Sequence, residues 1–79
     1  MLNLLNLYTT SHCHLCDEAK KLINDLPNHD TIQWVEIEIA ENEELLRDYG
    51  LRIPVLERPD ISQELWWPFN AADLKEFLA

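Results

Sequence analysis

Glycine is almost missing from this chain: Gly50 is the single one in 79 residues. With no Ser-rich or Gly-rich stretch either, nothing reads as a flexible linker, and one domain over residues 1–79 is the expected organisation. No internal repeat, low-complexity tract or apolar run of membrane-spanning length is present, which argues against a solenoid or a membrane-spanning helix. Basic residues are also scarce. Six lysines and arginines face fifteen acidic side chains, and the formal net charge of −9 disfavours nucleic-acid phosphates and anionic lipid as partners. A macromolecular partner would present a basic or neutral contact face. Met1, Leu2, Asn3 and Leu4 lack the basic segment and cleavage region of a secretory signal, so the expected compartment is the thiol-reducing cytoplasm.

Cysteine occurs only as Cys13 and Cys16, the ends of a C-x-x-C pair with His14 and Leu15 between. The loop they could close is too short to brace a fold, so scaffolding explains them poorly. Their placement points to thiol chemistry. They begin five residues after the apolar run Leu2 to Tyr8 and open a segment in which Cys16, Ala19, Leu22, Ile23 and Leu26 recur at helical spacing. Two sulfurs in a first helical turn can form a disulfide, and the unsatisfied N–H groups and positive dipole end of a helix start favour a thiolate.

The rest of the chain reads as alternating short elements. Leu2 to Tyr8 is a buried strand ending in Thr9, Thr10 and Ser11, and the helix from Cys13 stops before Pro27. Ile32 to Ile39 alternates, with Val35, Ile37 and Ile39 on one face and Glu36 and Glu38 on a wetter one. Asn42 to Tyr49 is a short helix with a solvated acidic face, and Gly50 stands where a left-handed residue commonly ends a helix. Pro54 to Glu57 is a third strand, Arg58, Pro59 and Asp60 a turn, and Glu64 to Trp67 a fourth strand. Asn70 can cap a final helix whose Ala71, Leu74, Phe77 and Leu78 face inward, with Asp73 in its positive first turn. Adjacent Trp66 and Trp67 point to opposite faces of their strand, and core packing of both is the favoured expectation. Tyr8 and Tyr49 read as packing residues, and His29 as a surface residue. A strand, helix, strand start demands a parallel crossover, and two strands joined by a tight turn pair antiparallel.

The element order, the C-x-x-C at the first strand-to-helix junction and the Ile53, Pro54, Val55, Leu56 segment opening the third strand resemble the glutaredoxin branch of the thioredoxin superfamily, particularly small bacterial glutaredoxin-like proteins. The resemblance spans essentially the whole chain. It implies an α/β, thioredoxin-like fold of βαβαββα order, a four-stranded mixed sheet flanked by three helices. It further implies that Cys13 is the exposed nucleophile and Cys16 the more buried resolving cysteine. Pro54 would follow a cis peptide bond beside them, and the Ile53 backbone would pair with a bound substrate. The activity implied is thiol-disulfide oxidoreduction on a protein or small-molecule disulfide, with a thiol reductant as electron donor, and we expect a metal-free monomer.

His12 and His14 flank Cys13 and could tune the redox pair, bind a metal or simply be exposed; tuning is the leading expectation. Two departures from the family bear on glutathione. The basic residue commonly found before the cysteine pair is replaced by Thr9, Thr10 and Ser11, and the Gly-Gly step before the last helix by Pro68, Phe69 and Asn70. No bound cofactor is therefore expected, and glutathione should bind weakly. Two rivals remain at this stage: a metal or iron-sulfur carrier using the same cysteines, and a redox-silent binding module on the same fold.

Overall fold

The computed structural model describes residues 3–27 and 29–79. Leu2, with which the expected first strand opens, lies outside them. The elements are β1 (Asn3–Thr9), α1 (His14–Asn24), a 3-10 turn (His29–Thr31), β2 (Ile32–Glu38), α2 (Glu43–Tyr49), β3 (Val55–Arg58), β4 (Gln63–Trp66) and α3 (Ala71–Leu78). The sheet order is β2-β1-β3-β4. β1 and β2 pair in parallel from Asn3↔Ile32 to Thr9↔Glu38, whereas β3 pairs antiparallel with both β1 and β4. This is the expected thioredoxin-like mixed sheet with three helices.

Because side chains alternate along a strand, the sheet carries a core on each face. On one face Leu5, Leu7, Ile32 and Leu56 pack with Ala19, Ile23 and Leu26 and with Phe69 and Leu74 beneath α1 and α3. On the other, Tyr8, Val55 and Ile39 pack with Leu45, Tyr49 and Ile53 from α2 and the loop after it. Each helix starts at a side chain that accepts a first-turn N–H, as the sequence predicts for Asn70. Asn42 Oδ1 accepts from Leu45 N at 3.0 Å, and Asn70 forms a reciprocal capping box with Asp73, both bonds 2.9 Å. The other end of α3 is held from β3. Arg58 donates to the Phe77 and Ala79 carbonyls at 2.8 and 3.2 Å, satisfying oxygens that have no acceptor role left inside the helix.

Several local expectations need correction. Gly50 is not left-handed: its φ of −53° and ψ of −33° continue the helical turn, and its N–H donates to Leu46 O at 2.9 Å. A Cβ built there would stand 2.4 Å from Leu46 O, so the lack of a side chain matters for close approach rather than for φ. The left-handed residues are His12 (φ 60°) and Ser62 (φ 53°), the latter in the β3–β4 turn. Ala71 is exposed, because the capping geometry turns the first residue of α3 away from the core. Trp66 and Trp67 do take opposite faces, but only Trp67 joins the core, edge-on to Phe69 with ring centroids 5.0 Å apart. Trp66 is 48 % exposed. The expected faces of β2 hold, yet the Glu36 side also carries the packed Ile32 and Trp34, while Val35 is half exposed because α2 does not reach it.

Candidate active site

Parallel pairing sends the C-terminal ends of β1 and β2 to the same edge of the sheet, and Cys13 follows there. It is the N-cap of α1, in extended conformation, and its Sγ accepts the Cys16 N–H at 3.1 Å. The chain reaches that position through His12, whose left-handed backbone is uncommon for a residue with a side chain and is found disproportionately in turns and functional loops. Cys16, one helical turn on, is fully buried, while Cys13 is half buried. The two sulfurs form a disulfide, with α-carbons 5.2 Å apart.

The loop before Cys13 is clasped by Glu38. Its Oε1 accepts from Ser11 N at 3.1 Å and Ser11 Oγ at 3.3 Å, and its Oε2 from Ala40 N at 3.1 Å. These donors, with the Thr10 hydroxyl foremost, hold the Glu38 carboxyl below the usual carboxylate range. A groove of about 330 Å³ runs along this flank, lined by Cys13, His12, Asp17, Lys20, Glu36 and Glu38 among others. Among the described residues that line it, Lys20 is the only lysine or arginine. It pairs with Glu36 and lies 3.8 Å from Asp17, and the hydrogen bond it donates to Glu36 raises its pKa.

On the other flank, Tyr8↔Val55 is the last β1–β3 pair toward this edge, so Pro54 and Ile53 continue alongside Thr9 and Thr10. The Ile53–Pro54 peptide bond is cis, as the resemblance implies. The Ile53 N–H donates to Tyr49 O at 3.1 Å and the Pro54 carbonyl accepts from Trp67 N at 3.2 Å. The Ile53 amide is thus already used inside the protein. Its carbonyl accepts no backbone hydrogen bond among the described residues.

His12 and His14 are exposed, with His14 Nε2 3.6 Å from Glu18 Oε1. Among the described residues no three His, Cys, Asp or Glu side chains converge as a metal-binding group. Among the described residues no helix is long and apolar enough to cross a membrane.

A family model for the glutaredoxin-like domain (DUF836) matches residues 4–79. The chain belongs to this glutaredoxin-like family. Solved structures agree. The crystal structure of target protein XcR50 from X. campestris is 35 % identical with a TM-score of 0.78, covering 94 % of this chain and 93 % of that one. The solution structure of the same target gives 36 % and 0.80, over 94 % and 90 % of the two chains. Protein Ne2328 from Nitrosomonas europaea is 28 % identical with a TM-score of 0.83, covering 100 % and 94 %. Within this glutaredoxin-like domain the C-x-x-C pair sits at disulfide distance, the arrangement a redox function requires.

Beside Cys13 the groove holds charged side chains to which the sequence gives no site role, among them Lys20, Glu36 and Glu38. A usable signal exists for Glu38. In a parallel β-α-β unit the last residue of β2 lies beside the end of β1, so an acceptor there falls within reach of the β1–α1 loop.

Proposed function

We propose that this glutaredoxin-like domain is a thiol-disulfide oxidoreductase in which Cys13 is the nucleophile and Cys16 the resolving thiol. The observation that carries the reading is the disulfide itself, with one sulfur at an accessible helix N-cap and the other fully buried one turn later. In the reduced protein, Cys13 thiolate attacks one sulfur of a substrate disulfide. That S–S bond breaks, one substrate thiolate leaves and takes up a proton, and a mixed disulfide forms. Cys16, as thiolate, then attacks Cys13 Sγ, the second substrate thiol departs, and the Cys13–Cys16 bond closes. Two electrons have passed to the substrate, and a thiol reductant restores the dithiol.

Position supports these roles. The Cys16 N–H that donates to Cys13 Sγ, together with the helix dipole, stabilises sulfur anion on Cys13. Ile53 and Pro54 form the opposite wall, where the Ile53 carbonyl, which accepts no backbone hydrogen bond among the described residues, aligns an extended substrate, and His12 and His14 tune the pair from the solvent side. The reading needs no bound cofactor and places the protein, as a monomer, in a thiol-reducing cytoplasm.

The test is turnover of a model protein disulfide with a dithiol reductant. Cys13→Ser should abolish it. Cys16→Ser should accumulate a mixed disulfide through Cys13 that mass spectrometry detects. Turnover by Cys13→Ser, or no adduct with Cys16→Ser, would refute the assignment.

A further inference from the structure

The sheet face that carries α2 is only half covered. Seven residues long, α2 packs with Ile53 over Ile37, Tyr8 and Val55, near the cysteine end. One row further along, the register sets Val35, Asn6, Glu57 and Glu64 side by side across β2, β1, β3 and β4, with Leu4 beyond. Leu4 is 53 % and Val35 50 % exposed. On this open stretch the exposed apolar side chains, Val35 and Leu4, lie on β2 and β1 on either side of Asn6, and the carboxylates of Glu57 and Glu64 lie on β3 and β4.

Glu57 and Glu64 stand directly opposite each other, an arrangement that destabilises a sheet when both are charged. Among the described residues the donors that meet them are neutral. Glu57 accepts from Asn6 Nδ2 and the Tyr8 hydroxyl, each at 2.9 Å, and Glu64 from the Tyr49 hydroxyl and, at 3.1 Å, Trp66 Nε1. The ion pairs found among the described residues include neither carboxylate. Arg52, close in sequence, lies over the Trp66 ring instead, 4.6 Å from its centroid.

We propose that this open half-face docks a basic amphipathic helix of a partner protein. An apolar stripe would cover Leu4 and Val35 while lysines or arginines beside it meet Glu57 and Glu64, relieving their repulsion. The dimensions suit one helix: Leu4 to Asn6 spans roughly 7 Å along the strand, and with side-chain reach the shelf beside α2 is about one helix diameter, ~10 Å. Charge selects the occupant. A two-fold contact with a second copy brings the same patch onto itself, so Glu57 and Glu64 of both chains would crowd together under a net charge of −9 each. The inference does not depend on the disulfide chemistry.

The probe is a synthetic three-turn Leu/Lys amphipathic peptide titrated into the full chain, with its Leu/Glu counterpart as control. Amide shifts should saturate at Leu4, Asn6, Val35, Glu57 and Glu64, and Glu57→Gln with Glu64→Gln should weaken binding about tenfold or more. Glu41→Gln with Glu44→Gln, which removes equal charge from exposed positions around the start of α2, should weaken it less than about twofold. Should the first pair disturb folding, Val35→Lys supplies the same test from the apolar side and should also weaken binding. Equal losses from both glutamate pairs, shifts spread over the whole surface, equal binding of the Leu/Glu peptide, or a dimer dissolved by Val35→Lys would each overturn the proposal.

Discussion

Asn70→Ala tests whether α3 depends on its cap. The substitution removes the acceptor of the Asp73 N–H, a 2.9 Å bond, while the reciprocal bond from the Asn70 N–H to Asp73 Oδ2 survives because its donor is main chain. One helix-start amide thus loses its protein partner, a change worth about 1 kcal/mol. α3 cannot absorb that loss through its own propensity, since eight residues make too short a helix to persist unaided. Its docking rests on Leu74, fully buried, and on Phe77 and Leu78, partly buried. In a domain of this size 1 kcal/mol corresponds to a Tm lower by about 4–8 °C. Thermal and urea unfolding followed by circular dichroism should show that shift with an unchanged urea slope. Asn70→Asp and Asn70→Ser, which keep the acceptor, should remain close to the parent. A Tm change under about 1 °C for the alanine variant, or an aspartate variant as unstable as alanine, would refute the reasoning.

In the reduced protein Cys13 should alkylate at least about tenfold faster than Cys16 near neutral pH, as compared in Cys16→Ser and Cys13→Ser; equal rates would contradict the assigned roles. Tyr8 and Tyr49 both carry raised pKa values, Tyr8 chiefly from burial and Tyr49 chiefly from its bond to Glu64. Their contribution to stability is complete below the ordinary phenol range near 10 and is lost as pH rises through the folded-state values, so ultraviolet titration should show two late-ionising phenols and Tyr49→Phe one. Glu38 is displaced the opposite way, and its clasp is present above the ordinary carboxyl value of 4.5 and lost as pH falls through its lowered one. Amide exchange at Ser11 and Ala40 should accelerate over that acidic interval, and Glu38→Gln should remove the pH dependence. Glutathione should bind more weakly than about millimolar, or roughly 4 kcal/mol, and saturation of shifts around Cys13, Ile53 and Asn70 at micromolar concentration would show otherwise.

Much of this architecture is legible in sequence because the signals are local. The alternation of β2, the helical spacing after Cys13 and the Asn70 cap are each set by residues within one or two turns, and all hold in the structure. What escapes is long-range or depends on orientation. Arg58 reads as a turn residue, yet its guanidinium reaches the last carbonyls of α3 some twenty positions away. Tyr8 and Tyr49 read as packing residues; their rings do stack at 4.2 Å, but which carboxylates their hydroxyls meet depends on strand register. Trp66 stays exposed, with the Arg52 guanidinium rather than a helix over its ring. At the site, the cysteine spacing is visible in sequence, whereas the Glu38 clasp and the Lys20–Glu36 pair exist only once β1 and β2 lie side by side.

The seam between β1 and β3 carries a consequence for assembly. Residues 3–38 form one locally connected unit, a parallel pair with its crossover helix, and residues 55–78 form another, a hairpin with its helix. In the sheet they meet only through Asn6↔Glu57, Leu7↔Leu56 and Tyr8↔Val55, pairs about fifty positions apart in sequence. Either unit can gather its own strands over short loops, but the central sheet exists only after the two halves find each other, so the slow entropic search belongs to this seam. A chain cut between β2 and α2 would keep every other strand pairing intact. Its two fragments would then regain both cores in a bimolecular step, at a rate set by their concentration.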